Sequence, residues 1–472
     1  CKENHTAIRI GVNHGSLSDR IMSRYGDTPE GMVESCMEFL RICVQENFTD
    51  VVISIKASNT VVMVKTVRLL ATVMEQEGMR FPLHLGVTEA GDGEDGRIKS
   101  ALGIGALLAD GLGDTIRVSL SEAPEAEIPV ARKLVDYIVQ RHDHPYIPGA
   151  DVPEFNYLSP TRRETAAVHN IGGDNLPVVI AARLDGDMDF NPQFVPDYIY
   201  TGRSIPKQLP EGMQCIIDAD VWMEHSNGGT EPDNAWPAFK GDQLPFLSSC
   251  GASLKFLFIT YMGLNDEAIA CLKYHPEVVL VSQSNHPNRL GEQRALVHQM
   301  MKEGLKNPVA FFEHYAESEL ENLQIKAAAD MGALIFDGLC DGILLFNQGE
   351  TISGKVVDAT AFGILQAGRV RTSKTEYISC PGCGRTLYDL ESTIARIKAA
   401  TGHLKGLKIG IMGCIVNGPG EMADADYGYV GAGRGKISLY KKKECIEKNI
   451  PEEEAVEKLI ELIRDNGDYI EK

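Results

Sequence analysis

The sequence predicts an α/β protein with three parts, and three observations indicate them. Strand-like and helix-like segments alternate through about the first 120 residues, which is the pattern of parallel βαβ units. Part of this pattern recurs 227 residues later, which indicates a second α/β domain. Three cysteines and a glutamate lie beside Gly or Pro near the end, in a segment patterned like a small α+β domain. We therefore predict domains over residues 1–122, 123–372 and 373–472.

Composition limits the classes of function that remain. The chain has 472 residues, 43% of them hydrophobic, which is enough for two to four domains with full cores. Its net charge of −20 argues against a nucleic-acid partner, because a cationic surface is needed to displace counterions from phosphates. No apolar run approaches about 18 residues, so no membrane-spanning segment is predicted. Eleven unevenly spaced cysteines in so long a chain indicate reduced thiols and a reducing compartment.

The first domain is predicted from its alternating segments. Strands are expected at residues 7–12, 50–56, 82–87 and 115–119, and helices at about 29–48, 60–77 and 96–110. Thr28 followed by Pro29 is typical of a helix start, with a capping residue before Pro at the first helical position. Parallel βαβ units of this length indicate a doubly wound sheet or a (β/α)8 barrel.

Polar residues recur at the predicted strand ends: Arg9, Asn13, Lys56, His84, Glu89, Arg117 and Ser119. In a barrel, the carboxyl ends of the strands form the active-site face. Any one of these residues is readily explained as a solvated charge, but their recurrence on successive strands favours a common site. Cations from several strands would suit a phosphate or diphosphate, and Glu89 among them is a candidate general acid.

An internal repeat links the first domain to the second. The segment Gly105-Ala-Leu-Leu-Ala-Asp-Gly recurs as Gly332-Ala-Leu-Ile-Phe-Asp-Gly, and residues 50–56 recur at the same offset as residues 277–283. The polar residues are not retained, since Lys56 corresponds to Gln283. We predict that the second domain is a barrel-like spacer, with further strands at 177–182, 213–218 and 254–260.

Comparison of the two copies also predicts that residues 1–122 are only the C-terminal half of a TIM-type barrel. The second copy has about 125 residues before its repeated part, whereas the first has no comparable stretch. On this expectation the chain by itself would be N-terminally incomplete and its activity would be doubtful. In the second domain, Glu224 and His225 are formally metal ligands, but an isolated His beside Glu is usually polar surface.

The C-terminal segment carries the clearest chemical signal. Cys380-Pro-Gly-Cys383 is followed about thirty residues later by Cys414-Ile-Val-Asn417-Gly-Pro-Gly-Glu421. Thiolates select zinc or iron–sulfur clusters, and tight turns let backbone amides point at the sulfur atoms. The segment is expected to contain a helix at 388–401, a strand at 408–412, a hairpin at 427–440 and a helix at 451–465.

Three interpretations of this site remain open. A structural zinc site or a four-cysteine electron-transfer cluster needs a fourth ligand, and Cys445 is available, although we predict a Lys-rich helical context for it. The third interpretation is a cluster with three thiolates and Glu421 as a weak oxygen ligand. Such a cluster would leave one iron open to a substrate oxygen, as the reductive cleavage of a C–O bond requires.

Six blocks of this sequence resemble the 4-hydroxy-3-methylbut-2-enyl diphosphate synthase family. They are Arg9-Ile-Gly-Val-Asn13, Ser54-Ile-Lys56-Ala-Ser58, His84-Leu-Gly-Val-Thr-Glu89, Gly113-Asp-Thr-Ile-Arg117-Val-Ser119, Cys380-Pro-Gly-Cys383 and Cys414-Ile-Val-Asn417-Gly-Pro-Gly-Glu421. The resemblance covers residues 7–122 and 373–472, and the segment between them looks like the additional domain of the family's long form. The family also has a stretch before the Arg9 block that this chain lacks.

The resemblance implies an iron–sulfur oxidoreductase of the methylerythritol phosphate route to isoprenoids. It would reductively open 2-C-methyl-D-erythritol 2,4-cyclodiphosphate to (E)-4-hydroxy-3-methylbut-2-enyl diphosphate, with two electrons from ferredoxin or flavodoxin. Carried over residue by residue, Cys380, Cys383, Cys414 and Glu421 would ligate a [4Fe-4S] cluster. The substrate would be held by Arg9, Asn13, Lys56, His84, Arg117 and Ser119, with Glu89 as proton donor and Asn417 beside the cluster.

Two alternatives from other classes are kept. A reductase of the sulfite or nitrite type would need a more basic cofactor pocket and a fourth cysteine, and a zinc-stabilised scaffold would have no catalytic role. The family resemblance also implies a bacterial cytoplasmic enzyme, or a stromal one if the source has plastids, and it allows a homodimer.

Overall fold

The computed structural model describes residues 1–228, 232, 234–349, 351–386, 388–416, 418–422 and 424–471. Their contacts divide the chain into two units. The first joins Cys1–Ile138 with Thr372–Lys472, and the second is Val139–Arg371. The predicted boundaries at residues 122 and 372 stay predictions, because this grouping does not separate the first segment from the last.

A four-stranded parallel sheet opens the first unit. Its strands, in spatial order, are β1 (Ile8–Asn13), β2 (Val51–Lys56), β3 (Leu83–Gly86) and β4 (Thr115–Arg117). The helices are α1 (Asp19–Tyr25), α2 (Pro29–Gln45), α3 (Thr60–Gln76), α4 (Gly93–Ala109) and α5 (Glu127–Val139), with 3-10 turns at Lys2–Asn4 and Pro124–Ala126. All four strands and three helices lie where the sequence predicted them, whereas α1 and α5 were not predicted.

Local capping explains where these helices begin. The Oγ1 atom of Thr28 accepts a hydrogen bond from the amide of Gly31 at 3.2 Å, and Pro29 is the first residue of α2. Asn59 caps α3 in the same way, accepting from the amides of Val61 and Val62. Helices α2, α3 and α4 then pack on β1, β2 and β3 respectively, which leaves the opposite face of the sheet for polar side chains.

The second unit is a closed barrel of eight parallel strands. They are β5 (Val178–Ala182), β6 (Tyr198–Tyr200), β7 (Gln214–Asp218), β8 (Ala235–Lys240), β9 (Lys255–Ile259), β10 (Val278–Ser282), β11 (Val309–Tyr315) and β12 (Gly342–Asn347), and β12 pairs with β5. The helices are α6 (Ala219–Asn227), α7 (Leu244–Leu247), α8 (Asp266–Tyr274), α9 (Arg289–Lys302), α10 (Leu320–Phe336) and α11 (Gly354–Ala367), with a 3-10 turn at Gly241–Gln243. The predicted barrel-like α/β fold is confirmed.

The internal repeat corresponds to matching elements in the two units. Residues 50–56 and 277–283 contain β2 and β10, and the other repeated pair covers the ends of α4 and α10 before β4 and β12. The barrel interior is filled by buried side chains such as Tyr198, Phe256, Phe258 and Leu344. It is therefore a packed core, as in other (β/α)8 barrels.

The C-terminal segment of the first unit is a mixed sheet with helices. Its strands, in spatial order, are β13 (Glu376–Ser379), β14 (Lys408–Met412), β15 (Tyr427–Gly433), β16 (Lys436–Lys441) and β17 (Glu444–Pro451). The helices are α12 (Leu390–Thr401), the one-turn α13 (Gly418–Glu421) and α14 (Glu452–Asp465). The first three strands are parallel and the last three antiparallel. The predicted α+β class is confirmed, although β13 and β17 were not predicted.

The helical context predicted for Cys445 is wrong, because this residue lies on β17 at the sheet edge opposite β13. Strands are spaced by roughly 4.8 Å, so β17 lies roughly 14 Å from β14, which precedes Cys414. Cys445 is therefore not placed to act as a fourth ligand beside the other three cysteines. Among the residues described above, no helix has both the length and the apolar content needed to cross a membrane.

Candidate metal and anion site

Two of the predicted ligands lie together at the carboxyl ends of their strands because these strands are parallel neighbours in the C-terminal sheet. Cys380 directly follows β13, and Cys414 follows β14 after Gly413. The strands are in register at Ser379 and Ile411, and the amide of Cys380 donates to the carbonyl of Ile411 at 3.3 Å. Cys383 is three residues further along, after a turn in which Gly382 has a positive φ of 77°.

Backbone amides point at the sulfur atoms of Cys380 and Cys383, as the Gly- and Pro-rich context predicted. The Sγ of Cys380 accepts from the amide of Gly413 at 3.2 Å, and the Sγ of Cys383 accepts from that of Arg385 at 3.4 Å. Thr386 fixes the loop by accepting from the amide of Cys383 at 3.0 Å. A Cβ atom on Gly413 would lie 2.4 Å from the Oγ1 of Thr386, so any larger residue at this position would force the threonine or the loop to shift.

The two thiols of the first loop have opposite pKa shifts. The amide and guanidinium of Arg385 lower the pKa of the exposed Cys383 thiol. Burial raises the pKa of Cys380, although the Gly413 amide opposes that effect. Amide donors to sulfur stabilise thiolates, which are the form that ligates metals.

Glu421 reaches the same region from α13. The helix has one turn, and Gly420 within it approaches the loop after β1 so closely that a Cβ atom would lie 2.8 Å from the Oγ of Ser16. This close approach brings the glutamate to the sheet of the first segment. Asn417, which was predicted to contact substrate, lies outside the described residues.

The polar side chains of the first sheet share one face. The register pairs Asn13 with Lys56, and alternate residues of a strand point the same way. The same register places His84 beside Thr115, and Gly86 beside Arg117. Five predicted residues therefore lie on the face opposite the helices: Arg9, Asn13, Lys56, His84 and Arg117.

Only three of these five lie at strand ends. Asn13, Lys56 and Arg117 are the last residues of β1, β2 and β4, whereas Arg9 and His84 are the second residues of β1 and β3. The expectation that Arg9 and His84 lie at the carboxyl ends is therefore wrong, because both strands continue past them. The pKa of His84 is lowered by burial and then by the charges of Arg9, Arg117 and Lys56.

Ser119 lies two residues beyond β4 and is buried. Its Oγ has no hydrogen-bond partner among the described atoms. A buried hydroxyl without a partner is costly, so a polar group brought to this position would be stabilised.

Glu89 is held in an unusual conformation between the two segments. It follows β3, has a positive φ of 48° and is only 6% exposed. Burial, followed by the negative charge of Glu421, raises its pKa to about 7, while the Thr88 hydroxyl, Arg117 and Lys56 oppose the shift. A carboxyl group with such a pKa is protonated in a large fraction of molecules near neutral pH, as a proton donor requires.

These groups line one cavity of about 210 Å³. Eight predicted residues are among its lining: Asn13, Lys56, Glu89, Arg117, Cys380, Cys383, Cys414 and Glu421. Arg9, His84 and Ser119 are not among them. Thr88, Arg385 and Thr386 also line the cavity and were not predicted; a basic residue two positions after Cys383 was the available signal for Arg385. Larger cavities in the second unit, of about 630 and 430 Å³, have no cysteine in their lining.

The donor set differs from a site for one ion. Within the described parts of the chain, no three His, Cys, Asp or Glu side chains converge on a position that suits a single metal ion. A cluster with several irons gives each ligand its own metal atom, so its ligands lie further apart than those of one zinc ion. The three cysteines and Glu421 line one cavity, which fits the ligands of a cluster with several irons.

Two family profiles match the first unit. The GcpE TIM-barrel domain matches residues 1–132, and the GcpE protein C-terminal domain matches residues 376–465. A 4-hydroxy-3-methylbut-2-en-1-yl diphosphate synthase (flavodoxin) of Bacteroides thetaiotaomicron is 79% identical over 100% of this chain and 76% of that protein. The chain belongs to the GcpE family. More distant GcpE proteins with the same name are those of Porphyromonas gingivalis and Chlorobaculum tepidum, at 49% and 41% identity over 74% and 70% of their lengths and 99% and 98% of this chain.

Family membership decides among the earlier interpretations. The sulfite or nitrite reductase alternative and the zinc scaffold are not supported by these similarities. The GcpE alignments span 100% and 99% of this chain and 76% and 74% of the two relatives. They do not support the prediction that part of the family's barrel is missing, and it stays a prediction.

Proposed function

We propose that this protein is a 4-hydroxy-3-methylbut-2-enyl diphosphate synthase, an iron–sulfur oxidoreductase of the methylerythritol phosphate pathway. It converts 2-C-methyl-D-erythritol 2,4-cyclodiphosphate to (E)-4-hydroxy-3-methylbut-2-enyl diphosphate; two electrons and two protons are consumed and one water is released. The observation that supports this function best is the single cavity lined by three cysteines, two glutamates, Lys56 and Arg117. Iron ligands, anion-binding groups and a candidate acid therefore surround one volume.

The cofactor is proposed to be a [4Fe-4S] cluster held by Cys380, Cys383, Cys414 and Glu421. Amide donors to two of the sulfur atoms support thiolate ligation, and Cys445 is too distant to complete a four-cysteine site. When bound, the cluster would supply electrons one at a time and a Lewis-acidic iron beside Glu421. A carboxylate is a weaker iron ligand than a thiolate, so Glu421 would be the ligand most readily exchanged.

The polar face of the first sheet is proposed to bind the cyclic diphosphate. Lys56, Arg117 and Asn13 line the cavity and would hold the phosphate oxygens nearest the cysteines. Arg9 and His84 lie on the same face, nearer the starts of their strands, and would contribute charge and hydrogen bonds from there. Ser119, whose hydroxyl has no partner among the described atoms, would complete the set.

Glu89 is proposed to donate a proton to the oxygen that leaves as water. Its raised pKa keeps it largely protonated up to about pH 7, and it lines the same cavity as Glu421. Asn417 keeps its predicted contact with substrate as part of this proposal.

Flavodoxin is the proposed electron donor, because it is named for the relatives from all three organisms above, and ferredoxin is the alternative. The homodimer, the cytoplasmic location and the assignment of residues 123–372 as a spacer remain predictions.

The decisive experiment combines metal analysis with turnover. Protein purified without oxygen is expected to be brown, with about four irons and about four labile sulfides per chain. With reduced flavodoxin it should convert the cyclodiphosphate to the linear diphosphate. Colourless protein containing one zinc would contradict the cofactor assignment. A four-iron protein that leaves the cyclodiphosphate intact with either donor would contradict the function.

A further inference from the structure

We propose that Lys99 and Ser121 are positioning residues that hold β13, and therefore Cys380, against the loop carrying Glu89. Neither residue lines the cavity, and neither is among the proposed ligands or substrate-binding residues. The inference rests on the proposed function for its catalytic consequence, but the contacts themselves involve only residues of the first unit. They explain how segments nearly 300 residues apart in sequence form one site.

Lys99 holds the start of β13 from helix α4. Its ammonium group is buried and lies 3.1 Å from the Oε1 of Glu376, the first residue of the strand, and it also donates to the carbonyl of Tyr377 at 3.4 Å. Side chains of both partners are less than a tenth exposed. A buried ion pair of this kind specifies one docking position, because either charge left alone would be strongly unfavourable.

Two more ion pairs continue this contact along α4 and its N-terminal cap. Asp95 pairs with Lys374 at 2.6 Å, and Asp92 pairs with Lys398 at 2.6 Å. The signs are reversed relative to Lys99 and Glu376, so a shift of α4 along the strand would bring like charges together. The alternating charges therefore specify the position of α4 along β13 as well as contributing to the strength of the contact.

Ser121 holds the other end of β13. Its Oγ lies 2.8 Å from the Oγ of Ser379, 3.1 Å from the carbonyl oxygen of Ser379 and 3.0 Å from that of Cys380. The backbone amide of Ser121 also donates to the carbonyl of Gly91 at 3.0 Å. One serine thus joins the loop after β4, the loop after β3 and the peptide group of a proposed ligand.

The loop after β3 completes the contact. Ala90, the neighbour of Glu89, forms a parallel bridge with Ser379, the neighbour of Cys380. The candidate proton donor and a candidate ligand are therefore each one residue away from the same backbone pairing. Removal of the Ser121 hydroxyl should change the relative placement of the Glu89 and Cys380 side chains without removing either of them.

The test compares Ser121→Ala with a variant that removes a buried hydroxyl from the same region. Thr375→Val is the matched control, since Thr375 precedes β13 and its Oγ1 donates to the carbonyls of Thr401 and Leu404 instead of bridging to the loops of the first sheet. We expect Ser121→Ala to lower kcat about tenfold, with KM within twofold and iron content unchanged. Thr375→Val should leave kcat unchanged, and Ser121→Thr, which keeps the hydroxyl, should recover most of it.

A second readout does not depend on turnover. In metal-free protein, the rate at which Cys380 is alkylated, followed by mass spectrometry, should rise about tenfold in Ser121→Ala and stay at the wild-type value in Thr375→Val. Should Ser121→Ala not fold, Ser379→Ala removes the partner hydroxyl, and Lys99→Gln weakens the other end of the strand. Both should increase the alkylation of Cys380.

Several results would overturn the inference. Wild-type kcat and wild-type alkylation in Ser121→Ala would do so, as would equal losses of kcat in Ser121→Ala and Thr375→Val. Lack of turnover by the wild-type four-iron protein would instead contradict the proposed function. In that case the alkylation rates still decide whether Ser121 holds Cys380.

Discussion

The Glu89 carboxyl group should make the stability of the first unit depend on pH. Its pKa is raised from 4.5 to about 7, chiefly by burial and next by Glu421. The folded state therefore binds a proton that the unfolded chain has already released between these values. The resulting stabilisation is fully present below pH 4.5 and is lost as the pH rises through 7.

The magnitude follows from the pKa difference. One pKa unit corresponds to about 1.4 kcal/mol, so the free energy of unfolding should fall by roughly 2 to 3 kcal/mol from pH 5 to pH 8 because of this group. Glu89→Gln carries no titrating proton and should lack this component. Glu94→Gln, on the exposed surface of α4, is the matched control and should retain it.

The assay must separate the two units. Cys36 is completely buried in α2, so its alkylation in increasing urea reports unfolding of the first unit in metal-free protein. The two tryptophans, Trp222 and Trp236, both belong to the second unit, and their fluorescence provides an internal reference that should not respond to Glu89→Gln.

The free energy of unfolding in the Cys36 assay could instead fall by the same amount from pH 5 to pH 8 in wild-type protein and in Glu89→Gln. In that case the pKa of Glu89 is not raised. The candidate proton donor would then have to be sought elsewhere in the cavity.

Three further predictions concern the cavity. Glu421→Ala should assemble the cluster poorly and lose turnover, measured by iron content and product formation; unchanged activity would remove the residue from the mechanism. Lys56→Ala should lower kcat/KM for the cyclodiphosphate by about 100-fold, because a charge-assisted hydrogen bond to phosphate contributes roughly 1.5 to 3 kcal/mol. Lys65→Ala on α3 is its control, and equal losses in both variants would contradict the assignment. Gly413→Ala should reduce bound iron by placing a methyl group 2.4 Å from a threonine oxygen, whereas Gly384→Ala, with open space around it, should not; full iron loading in Gly413→Ala would show that the loop adapts.

Much of the fold was predictable from local patterns. The βα alternation located β1 to β4, because buried parallel strands and amphipathic helices have different hydrophobic periods. The Thr28-Pro29 pair located the start of α2 for a reason contained in two adjacent residues. The internal repeat predicted a second domain of related architecture, which is the closed barrel of the second unit.

Elements without a local signal were missed. Strand β8 contains Pro237 and Trp236, and a proline normally argues against a strand inside a sheet. Strand β17 is rich in Glu and Lys because it is an edge strand, so its charged residues resembled those of an exposed helix. In both cases the pairing with a neighbouring strand, rather than intrinsic preference, decides the structure.

The candidate site shows the same division between local and tertiary information. Cys380, Cys383, Cys414 and Glu421 could be proposed as ligands because their side-chain chemistry and the neighbouring Gly and Pro residues are visible in the sequence. The positions of Arg9 and His84 along their strands depend on where those strands begin and end. The left-handed backbone of Glu89 depends on packing. Arg385 carried a charge two positions after Cys383, but nothing local indicated that it also lowers the pKa of that thiol.

The loops after β3 and β4 do more than present side chains to the cavity. The first carries Glu89 and, one residue later, pairs with Ser379, the last residue of β13, which directly precedes Cys380. The second carries Ser121, which bonds to both the first loop and the same strand. Because one set of contacts fixes both the candidate acid and a candidate ligand, a substitution in either loop should alter the placement of Glu89 and of Cys380 together. Changes in turnover at these positions therefore need a separate measurement of the ligand before they are assigned to the acid.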